Sequence, residues 1–169
     1  LHDLSAKIMV PRAKEILDNF LGGTEEKVVV FSNYCDTVKD LSTYLDFPYI
    51  MGELSLDQRS LALQRFEKER GLVATYPTGS ASLNLQAATY ELLVDLPYYF
   101  LDFKQALGRI YRNGQTKPTF FYMLIPKDTI LETVYEKLYG KYSWTKKIFD
   151  EEAQWDILRY LDKVRKEYV

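Results

Sequence analysis

Strand-like apolar runs alternate with helix-like spacing along this chain, and that rhythm constrains its fold more than any other feature. The clearest run is KVVVFS at 27–32, unbroken and rich in β-branched residues. A run without polar alternation suits a strand covered on both faces, as in a parallel sheet. Runs near 48–51 and at GLVATY (71–76), YELLVDL (90–96) and TFFYMLI (119–125) have the same character, the last two closed by Pro97 and Pro126. Between them the spacing becomes helical. Residues 5–22 bring Ile8, Ile16, Leu17 and Phe20 to one face, with Ser5 as cap and Gly22 and Gly23 as terminators. Residues 35–46 align Val38, Leu41 and Leu45. Ser55 followed by Gln58 reads as a capping box opening a helix through Leu61, Leu63 and Phe66. Residues 101–111, 128–140 and 144–167 complete the helical set. Strands alternating with helices imply an α/β fold, with a mainly parallel central sheet flanked by helices and further helices at the C-terminal end.

Size and charge narrow the function. At 169 residues the chain is one ordinary domain. No apolar run approaches the roughly 20 residues of a membrane span, and there is no secretory segment near the start. Cys35 is the only cysteine and His2 the only histidine, so neither an internal disulfide nor a cysteine/histidine zinc site is expected, and a reducing setting fits. A net charge of −2 argues against a protein that coats nucleic acid by bulk charge. The first residue, Leu1, is not methionine, which suggests a piece of a longer chain.

The segment richest in chemistry is QALGRIYRNGQ (105–115). Arg109 and Arg112 stand three apart, a spacing that on a helix puts both guanidiniums on one face. Arginine is permanently charged and presents a planar fork that suits phosphate oxygens. Two arginines alone read as a surface ion-pairing face, but the whole string carries more. Gln105, Ala106, Gly108, Arg109, Arg112, Gly114 and Gln115 resemble helicase motif VI of the superfamily-two ATPases, and the closing Gly-Gln resembles the Swi/Snf-like branch. The resemblance implies that Arg112 is the arginine finger on the γ-phosphate of ATP, with Arg109 beside it in the same cleft and Gln105 close to the nucleotide.

Two further segments extend the likeness over roughly residues 5–142. VATYPTGSASLNLQAATYELLVDLPYY (73–99) is similar to motif V through Thr75, Gly79, Leu83, Asn84, Leu85, Gln86 and Ala88. Ser82 departs from the usual glycine. By itself GSAS (79–82) is a small-residue turn before a helix. The resemblance implies that Thr75 touches the nucleic-acid backbone and that Gly79 and Asn84 lie near the nucleotide. KVVVFSNYCDTVKDLSTYL with IMGELSLDQRSLALQRF is similar to motif IV and its sequel, through Gly52, Arg59 and Phe66. Phe66 reads as core and Arg59 as a structural tie. Asn33 and Tyr34 follow the first strand, where such sheets bind ligands, and are candidate nucleic-acid contacts. Tyr34 reads equally well as a packed aromatic. PKDTILETVYEKLYGK (126–141) resembles the family's bracing helix. The resemblance makes residues 1–169 the second RecA-like domain of a helicase, a three-layer sandwich, with about 144–169 as a helical brace of the same domain.

The phosphate loop of such ATPases, Gly-x-x-x-x-Gly-Lys-Ser/Thr, is absent. DEEA (150–153) has the look of an acidic box but does not follow a buried strand, so it is not read as a magnesium site. ATP and Mg²⁺ are therefore expected to be held mainly by an N-terminal RecA-like lobe of the same protein, with no metal site and no tightly bound cofactor in this lobe. The expected partners are that lobe, ATP and duplex DNA, with no membrane. The expected setting is intracellular: cytoplasmic or nucleoid-associated, or nuclear in a eukaryote. The alternatives are an RNA helicase lobe and a degenerate lobe acting as a binding module without catalysis.

Overall fold

The structure, a computed structural model, describes residues 2–80, 83–97, 99–125, 133 and 135–137. Helix α1 (His2–Gly23) leads into strand β1 (Val28–Ser32), helix α2 (Cys35–Leu45), strand β2 (Tyr49–Ile50) and helix α3 (Leu56–Lys68). Strand β3 (Gly71–Thr75) follows, then a 3₁₀ turn at Tyr76–Ser80, strand β4 (Tyr90–Leu93), helix α4 (Phe100–Ile110) and strand β5 (Phe120–Met123). The five strands form one sheet in the order β2-β3-β1-β4-β5, and every pairing is parallel.

The unbroken run at β1 is explained by its place at the sheet's centre, where both faces are covered. Val28 and Val30 join Val38 and Leu41 of α2 and Met9, Ala13 and Leu17 of α1 in one core. Val29 and Phe31 join Ala62 and Phe66 of α3 and Phe103, Ala106, Leu107 and Ile110 of α4 in the other. Helices thus lie on both faces and make three layers. Parallel register puts Val29 beside Leu72 and Glu91, so one level of the α4 side carries a carboxylate among aliphatic side chains.

Local signals hold where the chemistry is local. The Ser55 hydroxyl accepts from Gln58 N at 3.2 Å, and Gln58 Oε1 accepts from Ser55 N at 2.9 Å, closing the capping box. Phe66 is core, as read. Arg59 donates from Nε to Leu54 O at 3.1 Å and from Nη2 to Gly52 O at 3.0 Å, so its tie is to the β2–α3 loop. At the far end of α3, Lys27 Nζ donates to Phe66 O at 2.8 Å and Glu67 O at 3.1 Å, supplying the positive charge a helix C-terminus favours. Gly71 is required by packing, because a Cβ there would meet the ring of Phe47.

Two boundaries differ from expectation. Helix α1 includes Ser5 instead of starting at it, and it carries Pro11 inside. The 79–82 turn is helical through Ser80, in the 3₁₀ form, while Ser82 itself lies outside the described residues. The segments 126–141 and 144–169 also lie outside them, except at 133 and 135–137, where the backbone is helical. Tyr135 packs on the α3/α4 core. No helix among the described residues is long and apolar enough to cross a membrane.

Candidate functional site

The loops at the C-terminal ends of β1, β3 and β4 meet around one carboxylate. Asp95 is 2 % exposed. It accepts from Ser32 Oγ, from Asn33 N at 2.8 Å and from Asn33 Nδ2 at 2.5 Å. Asn33 Nδ2 also donates to Leu96 O at 2.8 Å, and Tyr34 N donates to Ser32 Oγ at 3.1 Å. The Tyr76 hydroxyl donates to the Asp95 carbonyl, and its ring stacks on Phe31 at 5.5 Å between centroids. Burial pushes the Asp95 carboxyl up, against the hydrogen bonds from Ser32 and Asn33. Burial likewise drives the Tyr76 hydroxyl well up, reinforced by the negative charges of Asp95 and Glu91. The network fixes the edge of the sheet where α/β folds place ligands.

A second constellation joins the loop before β4 to the loop after α4. Gln115 Nε2 shares its two hydrogens among three carbonyls, those of Gln86 (3.0 Å), Ala88 (3.2 Å) and Ile110 (3.2 Å). In return Gln86 Nε2 donates to Asn113 O at 2.9 Å. Asn84 Oδ1 accepts from Gln86 N at 3.2 Å, an Asx turn that shapes the loop. Gly114 has φ +101°, a conformation that disfavours any side chain. Gly114→Ala is therefore expected to cost about 1 kcal/mol in denaturant unfolding. An unchanged midpoint would show that the turn relaxes without loss.

This seam presents an open cavity of about 380 Å³ lined by Asn84, Gln86, Arg112 and Asn113. Arg112 is exposed and makes no ion pair among the described residues. Among the described residues the lining offers one cation, three amides and no carboxylate, a set that suits phosphate oxygens and gives a metal ion no strong ligand.

The two arginines do not share a face, which corrects the helical reading of their spacing. Helix α4 ends at Ile110, between them. Arg109 is on the buried side of its last turn, 4 % exposed, with its guanidinium carbon 5.8 Å from the centroid of the Phe31 ring. Arg112 lies beyond the helix and faces solvent. Burial pulls the Arg109 guanidinium down from its usual value, opposed chiefly by the charge of Glu91. Glu91 is wholly buried, and burial raises its carboxyl well above the usual range against the pull of Arg109.

The remaining candidates divide. Asn84 shares the cavity with Arg112, while Gln105 is half-buried on α4 and Gly79 belongs to the 3₁₀ turn. Thr75 is 4 % exposed, and its hydroxyl lies 3.2 Å from that of Thr78. Thr78 in turn donates to the Thr75 carbonyl. The Asn33 amide is committed to Asp95 and Leu96, and Tyr34 is half-buried at the start of α2. Sequence reasoning did not single out Asn113 or Glu91. Asn113 had a signal in its place between Arg112 and Gly114, and Glu91 in being the one charge inside an apolar strand.

Helices on both faces of an all-parallel sheet, with this strand order and these loops at the strand ends, make the chain a RecA-like lobe. A family model described as the helicase conserved C-terminal domain matches residues 12–114, and the chain belongs to that family. The chain is 28% identical over 144 residues to the DNA repair and recombination protein RDH54 of Saccharomyces cerevisiae, an alignment covering 80% of this chain and 16% of that protein. It is 29% identical over 161 residues to the DNA repair and recombination protein RAD54 of Oryza sativa subsp. japonica, covering 89% and 16%. It is also 25% identical over 153 residues to the ATP-dependent helicase FUN30 of Saccharomyces cerevisiae, covering 86% and 14%. The chain therefore spans about a sixth of the length of these relatives. The crystal structure of the C-terminal part of the Fun30 ATPase domain superposes with a TM-score of 0.67 at 25% identity, over 76% of this chain and 44% of that one. The likeness to the Swi/Snf-like branch is thus carried by whole-chain similarity as well as by motifs.

Proposed function

We propose that this chain completes the ATP site of a DNA-dependent ATPase of the Swi/Snf-like kind, supplying Arg112 as arginine finger together with part of the nucleic-acid surface. The observation that carries the reading is the exposed Arg112 beside Asn84 in an amide-lined cavity with no carboxylate among the described residues. During phosphoryl transfer negative charge spreads over the γ-phosphoryl oxygens, and a fixed guanidinium stabilises it. Arg112 does this as the finger; Asn84, Gln86 and Asn113 orient the phosphate tail; Gln105 and Gly79 stand behind them. Mg²⁺, held by an N-terminal lobe, would neutralise the phosphates. The names of the relatives, DNA repair and recombination proteins among them, support duplex DNA as the activator and a nuclear setting in a eukaryotic host. Asn33 and Tyr34 are at the strand ends from which such a surface is built, while Thr75 shapes that edge from within.

The direct test is ATP turnover by the full-length protein with duplex DNA, single-stranded DNA or RNA added. Duplex DNA is expected to stimulate most, and the isolated chain to turn over no ATP. Stimulation by RNA alone would move the chain to an RNA helicase, and turnover by the isolated chain would refute the two-lobe reading.

A further inference from the structure

A carboxyl and a guanidinium, groups of opposite charge when both are ionised, are buried in the layer between α4 and the sheet without a hydrogen bond between them. Glu91 is 0 % exposed, and neither of its carboxylate oxygens has a hydrogen-bond partner among the described residues. Arg109 is 4 % exposed, and its Nε is likewise unpartnered. An uncompensated buried carboxylate or guanidinium is costly, so each charge in this layer needs the other. Their places agree with that need. Glu91 sits beside Val29 in the register, and Phe31, under the Arg109 guanidinium, lies two residues further along the same face of β1. Two other described groups are weaker candidates. The Tyr76 hydroxyl is given to the Asp95 carbonyl, and Asp102, half-buried in the first turn of α4, acts on Arg109 more weakly than Glu91 does.

We infer that Glu91 is a positioning residue, the internal counter-charge that holds Arg109 folded beneath α4 and so sets where Arg112 stands. Arg109 closes the last turn of α4, and Arg112 leaves the helix three residues later, held by the Gln115 and Gln86 bonds. A guanidinium drawn inward fixes that helix end from below. Arg112 is then the single cation among the described residues that line the cavity. The turnover arm of the test rests on the function proposed above; the thermal arm does not.

In the full-length protein, Glu91→Val, Glu91→Gln, Arg109→Met and the double variant Glu91→Val/Arg109→Met are compared by thermal unfolding of this lobe and by DNA-stimulated ATP turnover. Each Glu91 variant is expected to melt lower than wild type, because it strands a buried cation, and the double variant to recover part of the loss. Turnover in the Glu91 variants is expected to fall roughly tenfold or more, since a small misplacement of a reacting group is costly. The KM for ATP should stay within about twofold, and the double variant should be no slower than Arg109→Met alone. Glu91→Gln keeps the side chain's shape and serves if Glu91→Val does not fold. A higher melting temperature for Glu91→Val would overturn the inference, as would turnover losses that multiply. Wild-type turnover by Arg112→Ala with thermal coupling intact would instead sink the proposed function and leave the Glu91–Arg109 tie standing.

Discussion

Arg112→Ala in the full-length protein is expected to cut DNA-stimulated ATP turnover by about a thousandfold or more, the scale at which an arginine finger acts. The KM for ATP should change little, because the finger's charge counts most when the phosphoryl group is in flight. The folded lobe should be unaffected, since Arg112 is exposed and makes no ion pair among the described residues. Arg112→Lys should recover only part of the activity, because an ammonium keeps the charge and loses the planar fork. Steady-state kinetics at saturating duplex DNA compares wild type with both variants. Turnover within about threefold of wild type for Arg112→Ala would remove the finger assignment, whatever happened to ATP affinity.

The largest effect on stability is expected at Asp95. Replacing it with alanine leaves three donors without their acceptor: Ser32 Oγ, Asn33 N and Asn33 Nδ2. Each buried donor left unmade costs about 1–3 kcal/mol, and some of these regain water at the sheet edge. A loss on the order of 3–5 kcal/mol is therefore expected in urea unfolding, a large share of a small domain's total. Asp95→Asn should lose far less. Its amide oxygen still accepts from Asn33, and its amide nitrogen can donate to Ser32 Oγ, which turns to accept. If the alanine and asparagine variants unfolded at the same midpoint, the network would owe its stability to packing and not to its acceptor.

Much of this structure is written in short-range signals. KVVVFS marks a doubly covered strand because its pattern is a direct image of burial on two sides. Ser55 and Gln58 mark a helix start because both partners of the capping box lie within four residues. The motif VI string pointed to the cavity because Gly114 and Gln115 do work that few other residues can do: a positive φ and a three-way clasp on carbonyls. What short-range pattern leaves out is where an element ends and what folds over it. Arg109 and Arg112 looked co-facial because helical spacing was extended past the place where α4 ends. The burial of Thr75 was not legible because the pattern of a strand end does not show that the 3₁₀ turn after it folds Thr78 back over it. Glu91 passed as part of an apolar strand, and its meaning appears only when α4 is laid across it. Asp95 stands near the end of the YELLVDL run, and its partners at the end of β1 and just after it lie 62 and 63 residues away.

The Gln115 clasp also has a mechanical meaning. One side-chain nitrogen grips carbonyls at Gln86, Ala88 and Ile110, and Gln86 grips back at Asn113. The loop that enters β4 and the loop that leaves α4 are thereby locked like two links on one pin. A push on either is delivered to the other without slack, and Arg112 rides on the second link. The pin is thus a stiff joint between the two loops.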